Sequence, residues 1–151
     1  DLAGNDKFNL QHRGGKCVHP KGGQDSPSNG AYLITHNGCD ANRRALVMRK
    51  VPTAGGFFML QHWSGKCVHP KGGKVEPTRN TALVYHAGCV DTRTTLLYRK
   101  VRIDNNHFIL QHYAGFCVVP ARNKANANNH EKLELKWCNV KNKAQHWKEV
   151  Q

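Results

Sequence analysis

The sequence predicts an all-β fold built from three copies of one unit. Three observations carry the prediction. A period of about fifty residues runs through the whole chain; each period holds short extended segments separated by Gly, Pro, Asn and Ser; and no stretch keeps helical apolar spacing over three turns. The period is plainest where residues 10–23 read LQHRGGKCVHPKGG, 60–73 read LQHWSGKCVHPKGG and 110–123 read LQHYAGFCVVPARN. It continues through Pro27 and Pro77, Leu33 and Leu83, His36 and His86, Cys39 and Cys89, Arg43 and Arg93, and the Arg-Lys-Val runs at 49–51 and 99–101.

In the first copy the expected strands are Phe8–His12, Lys16–Pro20, Ala31–His36 and Ala45–Val51. Phe8-Asn9-Leu10 alternates apolar and polar residues, as a half-buried strand does. Gly14-Gly15 separates the first strand from the second. Gly22-Gly23 and the Pro27 to Gly30 stretch separate the second from the third, and Asn37-Gly38 follows the third. Four strands per copy give about twelve in all. A propeller usually needs four or more blades. A β-trefoil takes three four-stranded units and closes them, which removes exposed strand edges. The expected organisation is one β-trefoil domain over 1–151, with subdomains 1–54, 55–104 and 105–151.

Composition limits the function classes. A chain of 151 residues fits one domain and buries roughly two thirds of its unfolded surface. Its apolar runs fall well short of the ~18 residues of a spanning helix, so no membrane insertion is expected. The formal charge of +13 points to an anionic partner. The basic residues are spread evenly, eight in 1–54, eight in 55–104 and seven beyond, which favours a generally basic surface over one heparin stripe. No Gly-x-Ser-x-Gly elbow, P-loop or His-Glu-x-x-His is present, and no enzyme is expected. Nor is there the aromatic-basic motif of a nucleic-acid binder. The start at Asp1, without Met, reads as a processed or trimmed terminus.

Six cysteines occupy equivalent places in the three copies. Pairing inside each copy respects the repeat: Cys17–Cys39, Cys67–Cys89 and Cys117–Cys138. Such bridges place the protein in an oxidising compartment, secreted or in granules. Reduced buried thiols and a zinc site are the alternatives; the ligands lack close pair spacing for zinc, and no metal or cofactor is expected.

The best-matched segment, Gly15 to Gly23 and again Gly65 to Gly73, offers binding chemistry. Pro20 and Pro70 fix the backbone, and the glycine pairs permit positive φ. His19 and His69 each bring a donor and an acceptor to a strand end, with Lys21 and Lys71 beside them. A small polyhydroxylated ligand suits such a set. The same residues also read as turn chemistry repeated with the fold. His36 and His86, ending the third strand, read equally as ligand contacts or structural hydrogen-bonders. His12, His62 and His112 recur in all three copies and read as structural. In the third copy Val119 replaces the imidazole and Ala121-Arg122-Asn123 replaces Lys-Gly-Gly, so a dead or altered site is expected there.

On these residues the chain resembles the mytilectin-type galactose-binding β-trefoil lectins of marine molluscs, over essentially its whole length. The pentapeptide HPKGG occurs intact at 19–23 and 69–73. The resemblance implies galactose contacts from His19, Gly22, His69 and Gly72. It also implies an Asp and a second His after the third strand. Here that Asp falls on Gly38 and Gly88, and that His on Asp40 and Val90; Asp40 and Asp91 are the neighbouring carboxylates that would stand in. The cysteines resemble the bridges within ricin-type trefoil repeats, and Gln145-His146-Trp147 resembles the ricin-type Gln-x-Trp signature. The expected function is a non-catalytic, agglutinating lectin for galactose-type or acidic glycans, with galacturonic acid included and a homodimer entertained. The rival is a cytokine-like trefoil that binds sulfated glycans through its basic surface.

Overall fold

The computed structural model describes residues 6–151; the Asp1 terminus lies outside the described residues. Each repeat supplies four strands. The first gives β1 (Lys7–His12), β2 (Cys17–Pro20), β3 (Ala31–His36) and β4 (Met48–Pro52). The second gives β5 (Phe58–His62), β6 (Cys67–Pro70), β7 (Leu83–His86) and β8 (Tyr98–Arg102). The third gives β9 (Phe108–His112), β10 (Cys117–Pro120), β11 (Glu131–Lys136) and β12 (Trp147–Val150).

The pairings close a ring. Strands β1, β4, β5, β8, β9 and β12 each pair with the next, and β12 returns to β1. The hairpins β2–β3, β6–β7 and β10–β11 form a cap, in which β3 pairs with both β7 and β11, and an Ala82–Glu134 bridge completes the triangle. The arrangement is β-trefoil-like, and every strand is antiparallel to its neighbours. Among the described residues no helix is long and apolar enough to cross a membrane.

One core fills the barrel and cap. Phe8, Phe58 and Phe108 recur in it, as do Leu10, Leu60 and Leu110, and Leu33, Leu83 and Leu133. Threefold repetition thus delivers matched side chains to one axis. Met48, Tyr98 and Trp147 occupy equivalent places with unequal volumes, so the packing is only approximately symmetric. The expected strand Ala45–Val51 begins instead with a 3-10 turn over Arg44–Leu46, and β4 starts at Met48. Ala45, Leu46, Val47 and Met48 are all buried, a run that a one-faced strand cannot accommodate.

The three disulfides join Cys17 to Cys39, Cys67 to Cys89 and Cys117 to Cys138, with separations of 22, 22 and 21 residues. No described cysteine is free. Each ties the start of a cap hairpin to the segment after its second strand. Cys17→Ala with Cys39→Ala is expected to cost about 3 kcal/mol through restored unfolded-chain entropy. Urea unfolding would read it as a lower midpoint, and an unchanged midpoint would refute it.

Candidate functional site

A cleft of about 290 Å³ opens on the cap of the first repeat. His19 and Pro20 from the end of β2, Gly22 and Gly23 after it, His36 from β3, Arg43 and His130 line it. His19 is 4% exposed, and its Nε2 meets no hydrogen-bond partner among the described residues; the same holds for His69 Nε2 in the second repeat. A buried polar atom of this kind is uncommon and calls for a reason. For His69 the tautomer follows from geometry: Nδ1 donates to the Cys67 carbonyl at 2.9 Å, which leaves Nε2 as an acceptor.

Electrostatics keeps these rings neutral. Burial pushes the His19 imidazole down to about 4, and the neighbouring His36 and Arg43 push in the same direction. His69 is lowered by burial, with His86 and Arg93 adding to it. A neutral ring retains the lone pair that a ligand hydroxyl can donate to.

The flanking groups are set by the backbone. Gly22 and Gly23 have φ of 91° and 65°, and Gly72 and Gly73 of 88° and 62°. A Cβ on Gly23 would meet Arg43 Nη2 at 2.7 Å, so the glycine there serves close approach as well as conformation. Arg43 donates to the Gly23 carbonyl at 3.2 Å, and Arg93 to the Gly73 carbonyl at 3.4 Å. The rings of His19 and His36 stand 5.2 Å apart, and those of His69 and His86 5.4 Å apart. His36 and His86 each turn Nδ1 to the carbonyl of the next residue, at 3.0 and 2.9 Å.

The structure therefore brings His19, Pro20, Gly22 and His36 together in the first cleft, and it pairs the rings of His69 and His86 in the second repeat. Four other expected site residues, Lys21, Asp40, Lys71 and Asp91, are not among the groups the structure brings to these histidines. Lys71 donates to Tyr32 Oη at 2.6 Å, across to the first repeat. Lys21 is exposed outside the cleft lining. Asp40 is absent from that lining too, because its carboxylate accepts from the Asn42 N–H at 2.9 Å in a local turn. Asp91 is exposed on the corresponding loop.

His12, His62 and His112 are core residues. Each donates Nε2–H to a carbonyl, of Ala144, Ala45 and Thr95 respectively, at 2.7–2.8 Å. Nδ1 of each accepts from the N–H two residues on.

The third repeat is built differently. Val119 is fully buried where the other copies place imidazole. Glu131 accepts from the Arg122 N–H at 2.8 Å and from the Asn128 N–H. The equivalent amides of Gly22 and Gly72 meet no acceptor among the described residues. A shallow depression near 500 Å³ with Lys136, Trp137 and Asn142 on its walls takes the place of the histidine cleft. Among the described residues no cluster of His, Cys, Asp and Glu is placed to hold a metal.

His130 is the cleft residue that repeat-by-repeat reading misses. It comes from the third repeat, and its ring lies 4.8 Å from that of His36, edge to face. The signal was the closure itself: a ring of three units places the loop before β11 against β3, since His130 N–H donates to the Thr35 carbonyl at 2.7 Å.

The family model described as MytiLec, alpha-D-galactose-binding lectin, matches residues 8–148. No curated protein matches the chain. Solved structures share the fold. The designed threefold-symmetric protein ThreeFoil superposes with a TM-score of 0.79 at 15% identity, over 97% of this chain and 99% of that one. A ricin B-like lectin from Macrolepiota procera, crystallised with lactose, gives 0.73 at 12% identity over 100% and 99%. The Rhizoctonia solani agglutinin gives 0.71 at 15% identity over 99% and 97%.

Proposed function

Because this chain belongs to the alpha-D-galactose-binding lectin family, we propose that it acts as a non-catalytic, secreted β-trefoil lectin whose single domain spans 1–151 and whose two sugar sites are built on the HPKGG loops. One observation carries the site assignment. The buried, neutral His19 and His69 rings each hold an unpartnered Nε2 beside a positive-φ glycine pair. Nε2 is buried in this position of the ring, so a small rotation toward the cleft lets a galactose hydroxyl donate to it, while the Gly22 or Gly72 amide donates to a sugar oxygen. Buried polar groups without partners are costly, so a ligand that supplies both bonds gains selectivity.

Two such sites on one rigid body can bridge glycans, and bridging turns modest single-site affinity into avidity. Agglutination follows, and the three disulfides fit an extracellular setting. A homodimer would multiply the same effect. Arg43 in the cleft wall supports an acidic galactose such as galacturonic acid as a ligand, since a charge-assisted hydrogen bond is about twice as strong as a neutral one.

Calorimetric titration with galactose, GalNAc and galacturonic acid tests this reading. The wild type is expected to take up two equivalents, and His19→Ala with His69→Ala none. Retained binding in the double variant would discard the site. Binding that galactose fails to compete with and that falls steeply with salt would favour the basic-surface reading, supported by the charge of +13.

A further inference from the structure

The two HPKGG clefts share their own loops but differ in what the preceding repeat brings to them. The loop before β11 reaches the first cleft, and the loop before β3 reaches the equivalent place in the second repeat. His130 N–H donates to the Thr35 carbonyl at 2.7 Å, and Gly30 N–H donates to the Tyr85 carbonyl at 2.8 Å. One position earlier, Asn129 accepts from the Asn37 N–H at 3.0 Å and Asn29 from the Ala87 N–H at 2.9 Å. The backbone contacts are thus equivalent, and only the side chain changes. The first cleft gains an imidazole where the second has a hydrogen atom.

That imidazole is held in place. Thr35 Oγ1 donates to the Asn128 carbonyl at 2.8 Å, so three hydrogen bonds clasp the loop onto β3 and the segment after it. His130 sits at φ 68°, and its equivalents Gly30 and Asn80 sit at 87° and 72°. This left-handed region favours glycine and asparagine, so the backbone has no use for a ring here. The ring instead lines the cleft beside His19 and His36 and packs edge to face on the latter.

We propose that His130 is a ligand-contacting, specificity-determining residue, and that it makes the first cleft the tighter galactoside site of the two. The proposal rests on the galactose reading given above. The third repeat then contributes to binding through a side chain in another repeat's cleft, although its own loop lacks the histidine. The added ring offers a wall and one further hydrogen bond to a galactoside held on His19.

Calorimetry with galactose on His69→Ala isolates the first cleft. Adding His130→Gly in that background is expected to weaken binding about tenfold, the worth of one hydrogen bond. Glycine suits the backbone at this position, so the melting temperature should not fall. The His130 ring resonances should shift when galactose is added to His69→Ala. Unchanged affinity in the double variant, or ring resonances that stay still, would overturn the proposal while leaving the galactose reading intact. Absence of galactose binding by the wild type would overturn both.

Discussion

Lowering the pH from 7 to 4 is expected to destabilise the protein markedly with its three disulfides still closed. Five buried imidazoles, those of His12, His19, His62, His69 and His112, lie below the ordinary histidine value of 6.5, chiefly because burial penalises the charged ring. In His12, His62 and His112 geometry adds a second reason. Nδ1 already accepts a backbone N–H, and a proton there would break that bond. Above pH 6.5 these rings are neutral in the folded and unfolded chains alike, so stability does not depend on them. Between 6.5 and about 4 the unfolded chain binds protons that the folded chain refuses, and stability falls throughout that interval. His19, held down to about 4, alone accounts for roughly 3 kcal/mol. The other four act in the same direction. Typical domain stability is about 5–15 kcal/mol, so the His19 contribution alone is a sizeable fraction of it. Trp147, buried against His12 with ring centroids 5.0 Å apart, supplies a fluorescence probe. Melting temperatures should drop steadily from pH 6.5 to pH 4, and a flat profile would contradict the buried-neutral assignment.

His62→Ala is expected to be among the most destabilising single substitutions, at about 3 kcal/mol or more. The ring is fully buried, so truncation leaves a cavity. It also strands two backbone groups, the Ala45 carbonyl at 2.8 Å and the Ser64 N–H at 3.0 Å. Each stranded group carries a desolvation penalty of about 1–3 kcal/mol. The Ala45 carbonyl belongs to the first repeat, so the change loosens one joint of the barrel as well as its core. Equilibrium urea unfolding measures the effect directly, and a loss below 1 kcal/mol would show the imidazole to be a bystander.

The sequence made the repeat, the four strands of each copy and the cysteine pairing legible because all three are periodic. A period is visible in one dimension, and equivalent residues must then occupy equivalent places in space. The structural role of His12, His62 and His112 was legible for the same reason: they persist in the copy whose loop has changed. The start of β4 was less legible. Burial of Ala45 to Met48 on more than one side depends on how the barrel meets the cap, which no local alternation reveals. Lys71 enters the expected site as the cation beside His69 in the sequence, and Asp40 as the carboxylate that would stand in for the one falling on Gly38. The fold sends one to Tyr32 and the other into its own turn. His130 lay out of reach for the opposite reason. It is more than eighty residues from its cleft partners, and only ring closure brings it there.

That closure gives the two clefts different mechanical consequences. The second joins repeats that follow one another along the chain. The first lies across the seam where the chain's last repeat meets its first, the boundary also held by β12 against β1. A ligand seated there would act as a clasp on a joint that the peptide backbone does not secure. Occupancy of the first cleft should therefore slow the opening of the ring from its ends, and with it cleavage by proteases that need an unzipped terminus. Occupancy of the second should leave that rate almost untouched.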